Sequence, residues 1–308
     1  MSWNVSQLPS FAGRTALVTG ANSGIGWQTA LELARHGARV RLGSRDAGRG
    51  VAAVRRIREQ LPAADVELVR LDLASLASIE AVAEAWDGPL HLLVNNAGVM
   101  APPNLRKTTD GFELQFGTNH LGHFALTGRL LPALLAAGAS GDSARVVTVS
   151  SLLHRGGRPG PLRGELDAGY SPQRAYADSK LANLLFAFEL QRRAGSHAAP
   201  LTSTAAHPGL AQTNLMLSPD GLGANALMRG VRHSVGRLMF QPAAAGAHPT
   251  LYAAGVAAPG SYSGPQWPGG MRGPAGPARP SRTAQDPRLA AELWDLSEEL
   301  TGVRYPWS

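Results

Sequence analysis

The feature that most constrains this chain is a glycine-spaced turn that begins a regular alternation of two patterns. Thr15-Ala-Leu-Val-Thr19 is a short apolar, β-branched run. Gly20-Ala-Asn22-Ser23-Gly24-Ile25-Gly26 follows it, and helical spacing then runs from Trp27 to His36 and stops at Gly37. The alternation repeats. Strand-like runs at 39–44, 66–71, 91–95, 144–150 and 201–205 are separated by helical stretches at 51–61, 75–86, 112–135 and 174–194, with Ser75 placed to cap the third helix. Strands separated by helices of this length predict an α/β fold, a doubly wound parallel sheet with helices on both faces. Sites in such sheets lie at the carboxyl ends of the strands.

The second half is less regular. Residues 155–173 form a Gly/Pro/Arg-rich insertion, and residues 214–240 are apolar and basic by turns. Residues 259–281 are rich in Pro and Gly and are expected to be extended or mobile. Asp286 to Leu300 has amphipathic helical spacing. Neither an internal repeat nor a clean linker divides the chain. A single domain over 1–308 is expected, with the insertion, a substrate lid at about 214–240 and a C-terminal extension at about 259–308.

Composition removes several classes. The 308 residues include no Cys, which excludes disulfides, Cys-ligated metal and a thiol nucleophile; no metal site is assigned. A hydrophobic fraction of 44% against 17% charged fits a folded globular chain. The formal charge of +7 permits anionic partners without choosing among them. The Arg residues are dispersed and no recognised binding motif accompanies them, so no nucleic-acid partner is expected. The first residues carry neither a basic nor an apolar leader pattern. No window approaches an apolar run of about 18 residues. The expectation is a cytoplasmic protein without a transmembrane segment. Leu227 to Phe240 has basic amphipathic spacing, which suits either contact with anionic lipid or, the preferred reading, a lid helix packed on its own protein.

The glycine turn is the first candidate site. Gly20 allows the tight turn, Gly24 lets a pyrophosphate approach the backbone, and Gly26 lets the helix pack closely, its N-terminal N–H groups facing the phosphates. The plain alternative is an ordinary βα turn, but the strand–turn–helix context is the one a dinucleotide needs. Gly43-Ser44-Arg45 ends the second strand without a carboxylate. An acid there would grip the ribose 2′-hydroxyl of NAD, whereas Arg45, assisted by Ser44, suits a 2′-phosphate. NADP(H) is therefore favoured over NAD(H). Asp72-Leu73 is placed to cap an adenine, and Asn95-Asn96-Ala97-Gly98 to knit strand ends and admit a ribose.

Tyr176 and Lys180 stand at i, i+4 on one helical face. An ammonium beside a phenol favours the phenolate, which would make Tyr176 a usable general acid/base near neutral pH. With five Tyr and only two Lys, Lys107 and Lys180, roughly 0.03 such pairs are expected by chance. Ser150 or Ser151, at the tip of the fifth strand, is placed to bond a carbonyl oxygen or to cap a turn. Asn119 lies mid-helix, where Asn is mildly unfavourable, and would hold a water or orient the lysine, or simply be exposed.

Together these pieces resemble the short-chain dehydrogenase/reductase family, whose fold is Rossmann-like. The resemblance rests on Thr-Gly-xxx-Gly-Ile-Gly at 19–26, Asn-Asn-Ala-Gly at 95–98, Ser151, Tyr-xxx-Lys at 176–180 and Pro-Gly-xxx-Thr at 208–213, in the family's order. Arg45, Asn119-His-Leu-Gly-His-Phe124, Ser150-Ser-Leu-Leu-His154 and Ser179-Lys-Leu-Ala-Asn183 look most like its retinol-dehydrogenase-like group. Protochlorophyllide reductases are similar in plan, but that branch is thought to use cysteine.

The resemblance implies that Tyr176 is the acid/base, that Lys180 lowers its pKa and binds the nicotinamide ribose, and that Ser151 polarises the reacting oxygen. It implies that Asn119 anchors a water in the proton relay. Pro208, Gly209 and Thr213 would hold the carboxamide, and Asn22, Ser23 and Ile25 would complete the cofactor loop. The implied activity is hydride transfer between NADP(H) and a small-molecule carbonyl or alcohol, with Leu215, Met216 and Leu217 suggesting a lipophilic one. A catalytically weak NADP-binding regulator of the same fold is the alternative. Family members pair the long helices at 111–137 and 174–194, so a homodimer or homotetramer is implied unless the C-terminal tail blocks that face.

Overall fold

The computed structural model describes residues 2–139, 141, 143–163, 170–211 and 240–307. Eight strands form one sheet: β1 (Thr15–Thr19), β2 (Arg39–Ser44), β3 (Val66–Arg70), β4 (Leu92–Asn95), β5 (Ala144–Val149), β6 (Leu201–Ala206), β7 (Tyr262–Pro265) and β8 (Ala275–Pro277). Their spatial order is β3-β2-β1-β4-β5-β6-β7-β8. All neighbours are parallel except β7 and β8. The chain reverses its lateral direction between β1 and β4, which opens a crevice at the carboxyl ends of those strands.

Side-chain alternation explains why the sheet is covered twice. Ala16 and Val18 of β1 enter one apolar layer, with α1 (Gly24–Arg35), α2 (Ala47–Gln60) and a helix at Ala243–Gly255. Leu17 enters the opposite layer. The same division separates Leu92 and Val94 from Leu93 on β4. Period-two alternation with both faces apolar is the signature of a strand buried on both sides. The second layer holds α3 (Leu76–Glu84) and most of the polypeptide between β4 and β6. Ser75 caps α3 through its hydroxyl, which accepts from the Ser78 N–H.

Two expectations are corrected. The stretch 112–135 is not one helix. It comprises α4 (Leu114–Phe116), a wide π turn (Gly117–Leu121), α5 (Gly122–Arg129) and α6 (Leu131–Gly138), with a bend of 56° before α6. Pro132, at the start of α6, has no N–H to donate backward and its ring crowds the preceding turn, so the helix restarts there. Residues 259–281 are also not simply extended or mobile, because β7 pairs with the open edge of β6 and β8 closes antiparallel on β7. Their prolines fall on short outer strands, where few N–H groups are needed.

After β5 a long helix, α7 (Pro172–Ser196), leads to β6; the Ala243–Gly255 helix becomes α8, and α9 (Pro287–Thr301) ends the chain. Asp286 caps α9 by accepting from the Arg288 and Leu289 N–H groups, bearing out the expected terminal helix. Trp294 of α9 packs among Phe124 of α5, Phe186 of α7 and Tyr305, at ring separations of 5.1, 5.9 and 4.5 Å. The Tyr305 hydroxyl donates to the Phe124 carbonyl at 2.8 Å. Among the described residues, no single helix is long and apolar enough to cross a membrane. The bent stretch 114–138 passes such a test only as a pair and is mostly buried in the fold.

Candidate active site

A cleft of about 380 Å³ runs along the carboxyl ends of β1 to β6. Its first wall is the glycine turn. Gly20 and Gly24 adopt φ of +65° and +58°, the left-handed region that favours glycine. A Cβ on Gly26 would stand 2.5 Å from both the Gly20 carbonyl oxygen and Asn96 Nδ2. The turn is therefore as tight as its glycines allow. Ser23, the residue before α1, makes no side-chain cap, so the first N–H groups of the helix meet the cleft without that partner. Backbone donors at a helix N-terminus, with no side chain over them, fit a pyrophosphate.

The expected cofactor residues come together here. Asn22, Ser23, Ile25, Ser44, Arg45, Asp72, Leu73, Asn96, Ala97, Gly98, Pro208 and Gly209 all line the cleft, together with the three turn glycines. Thr213 lies outside the described residues, as do Leu215, Met216, Leu217 and the lid stretch up to 239. Arg45 is exposed and makes no ion pair among the described residues. Ser44 is buried and donates to the Asp46 carbonyl at 2.9 Å. Arg49, in the first turn of α2, also lines this end and was missed in the sequence. Asn96 knits β4 to β1 as expected, its Nδ2 donating to the Thr19 carbonyl at 2.7 Å.

The other wall is built by β5 and α7. The strand tip resolves the choice between the two serines. Ser150 turns inward and donates to the Lys180 carbonyl at 2.7 Å. Ser151 lines the cleft beside Tyr176, close enough to pull the phenol's pKa down. It also accepts from the Leu153 N–H at 3.2 Å, so the capping role is real too. Tyr176 and Lys180 line the same wall, with Lys180 Nζ 5.8 Å from the tyrosine ring centre.

Electrostatics depart from the expectation drawn from spacing. Burial pushes the Tyr176 phenol up to about 12, against a smaller opposite pull from Ser151. Burial also lowers the Lys180 ammonium to about 8. The lowering of Tyr176 by Lys180 is not seen here, because Lys180 Nζ donates to the Val149 carbonyl at 3.1 Å and not to the phenol. Desolvation then outweighs a cation several ångströms away.

Asn119 does not line the cleft. It sits in the π turn, fully buried, with its amide already engaged. Its Nδ2 donates to the Val99 carbonyl and to Ser179 Oγ, each at 3.0 Å, and its Oδ1 accepts from the Val99 N–H at 2.8 Å. Of the readings open for Asn119, exposure is excluded and orientation of the lysine's neighbourhood fits best. Asn183, also missed, donates to the same Val149 carbonyl as Lys180, at 3.1 Å. Among the described residues no cluster of metal-binding side chains occurs.

A family model described as short chain dehydrogenase matches residues 14–219. The chain belongs to that family. It is 42% identical to polyprenol dehydrogenase of Mus musculus, over 96% of this chain and 86% of that one. Identity to retinol dehydrogenase 14 of Mus musculus is 38%, over 94% and 86%. The crystal structure of an uncharacterized protein from Mycobacterium paratuberculosis superposes with a TM-score of 0.81 at 45% identity, covering 99% of this chain and all of that one. These relatives place the short-chain dehydrogenase in the retinol-dehydrogenase-like group. It is accordingly an oxidoreductase of CH–OH and C=O groups that uses a nicotinamide cofactor.

Proposed function

We propose that this dehydrogenase prefers NADP(H) and interconverts a lipophilic alcohol and its carbonyl, with Tyr176 as general acid/base. The observation that carries the reading is the meeting of Ser151, Tyr176 and Lys180 on one wall of a cleft whose other end is the glycine turn. The nicotinamide ring, when bound, supplies or accepts the hydride. The protein's own groups manage the proton. Burial raises the Tyr176 phenol, so it holds its proton in the resting site and is placed to give it to a carbonyl oxygen. Ser151, on the same wall as that phenol, polarises the same oxygen. Burial dominates at the resting phenol, and Lys180, with its ammonium 5.8 Å from the ring centre, offers positive charge to the phenolate when an alcohol must lose its proton. Asn119 holds Val99 and Ser179 in place beside them and acts as a positioning residue.

The glycine turn and the start of α1 hold the pyrophosphate, Asp72 and Leu73 the adenine, and Asn96 to Gly98 the ribose. Pro208, Gly209 and Thr213 hold the carboxamide. Arg45, exposed and without an ion pair among the described residues, and no acid at the tip of β2, support recognition of a 2′-phosphate. A lipophilic substrate is supported by Val99, Met100, Leu152, Leu153 and Leu210 along the cleft, and by relatives named for polyprenol and retinol. The substrate lid expected at about 214–240 lies outside the described residues up to 239.

The test is a panel of short and long-chain aldehydes and alcohols, run with each cofactor on the wild type and on Tyr176→Phe. Long-chain isoprenoid substrates with NADP(H) should give the highest kcat/KM. The variant should lose on the order of 10³-fold in kcat, with NADPH affinity kept within about threefold. Undiminished turnover in the variant, or equal use of NAD(H), overturns the corresponding part of the reading.

A further inference from the structure

His123 lies on α5, one helical turn after Asn119, and its side chain is 1% exposed. Both ring nitrogens have partners. Nδ1 is 2.9 Å from the Asn119 carbonyl oxygen, which only accepts, so the proton sits on Nδ1. Nε2 is then an acceptor, 2.9 Å from the Thr19 hydroxyl. Thr19 Oγ1 in turn accepts from the Asn96 and Ala97 N–H groups, each at 2.9 Å. Its own hydrogen can go to His123 or to the Val94 carbonyl, and Val94 is farther at 3.3 Å. The helix backbone at this position is tied as well: Thr127 donates to the His123 carbonyl at 2.7 Å and accepts from Asn95 Nδ2 at 3.0 Å.

The two ends of this chain of bonds are the two halves of the site. Thr19 opens the glycine turn and supports Asn96 and Ala97 of the cofactor wall. Asn119 holds Ser179, the neighbour of Lys180, and Val99. We propose that His123 is a positioning residue that couples the glycine turn to the Tyr176 and Lys180 helix, one ring nitrogen serving each half. This rests on the functional reading above. With His123, Thr19 and Asn119 each held by partners, the network holds its geometry, and small misplacements of reacting groups are expensive.

The two amide side chains divide the ring between them. Asn at 123 places its polar end near the Nδ1 position and can keep Asn119. Gln reaches the Nε2 position and can keep Thr19. In His123→Asn the NADPH dissociation constant, read by quenching of intrinsic fluorescence, should rise on the order of 10-fold while kcat at saturation stays within about threefold. In His123→Gln the dissociation constant should stay within about threefold, while kcat falls on the order of 10-fold and its pH profile shifts. In the wild type, ¹⁵N spectra should show the Nδ1–H tautomer for His123. If both variants change the same parameter equally, or neither differs from wild type, His123 only fills space. An Nε2–H tautomer overturns the proposal even where a variant fails to fold. Should the wild type turn over no carbonyl with NADPH, the functional reading fails, but the affinity comparison and the tautomer still decide this inference.

Discussion

At the glycine-turn end of the cleft the work is done by backbone: Gly20 and Gly24 at positive φ, unroofed N–H groups at the start of α1, and an exposed Arg45. At the opposite end it is done by buried side chains: Ser150, Tyr176, Lys180 and Asn183, backed by the aromatic group around Trp294. The first end binds by leaving donors uncovered, and the second positions reactive groups by burying them. The second arrangement has an electrostatic cost, visible in the raised Tyr176 and lowered Lys180. It also explains why α9 lies on the far side of α7 and α5. The terminal segment supplies the packing against which those helices are held.

This contrast can be broken in three ways. Trp294→Ala should have the largest effect on stability, about 3–5 kcal/mol, because it removes a ring packed against Phe124, Phe186 and Tyr305 and leaves buried Glu298 without the Trp294 Nε1 donor. Denaturant unfolding measures it. If the two ends are separately built, NADPH affinity measured well below the melting point should change by less than about threefold. Gly26→Ala should do the converse. Its Cβ meets the Gly20 carbonyl and Asn96, so the turn must shift, and calorimetric titration should find NADPH affinity weakened by about 10- to 100-fold, or 1.4–2.7 kcal/mol. An unchanged affinity would mean that the turn is not the cradle.

The third test is a slope with pH. Burial lowers His120 and His207 to about 3 and His123 to about 4, so each stays neutral in the folded chain while the unfolded chain protonates it near 6.5. The unfolded state then binds more protons, and stability falls as pH drops from about 6.5 toward 4. Each histidine contributes up to about 1.4 kcal/mol per pH unit. Melting temperatures across that interval should fall, and His120→Gln should flatten the slope if it folds.

Legibility in the sequence followed the range of the interaction. Tyr176 and Lys180 were readable because i, i+4 is a local spacing, and the glycine turn because strand, turn and helix are consecutive. Ser150 and Ser151 were told apart only by the family resemblance, which chose Ser151, since neighbours at a strand end face opposite ways and the facing side is set by what packs there. Gly117 to Leu121 gave no sign of a π turn: its signal is the partners of Asn119 and His123, both distant in sequence. Residues 259–281 read only as extended or mobile because Pro and Gly obscure alternation; the exposed edge of β6 is what pairs 262–265 into a strand, with 275–277 closing on it.

The sequence by itself determined the doubly wound sheet, the family and which residue types meet in the cleft, since these follow from local periodicity and short spacings. Only the tertiary structure decided which serine faces the tyrosine, that Asn119 stands behind the wall, and that burial outweighs the Lys180 charge at the phenol. Those outcomes depend on desolvation and on partners brought together across the sheet, and neither has a local signature in the chain.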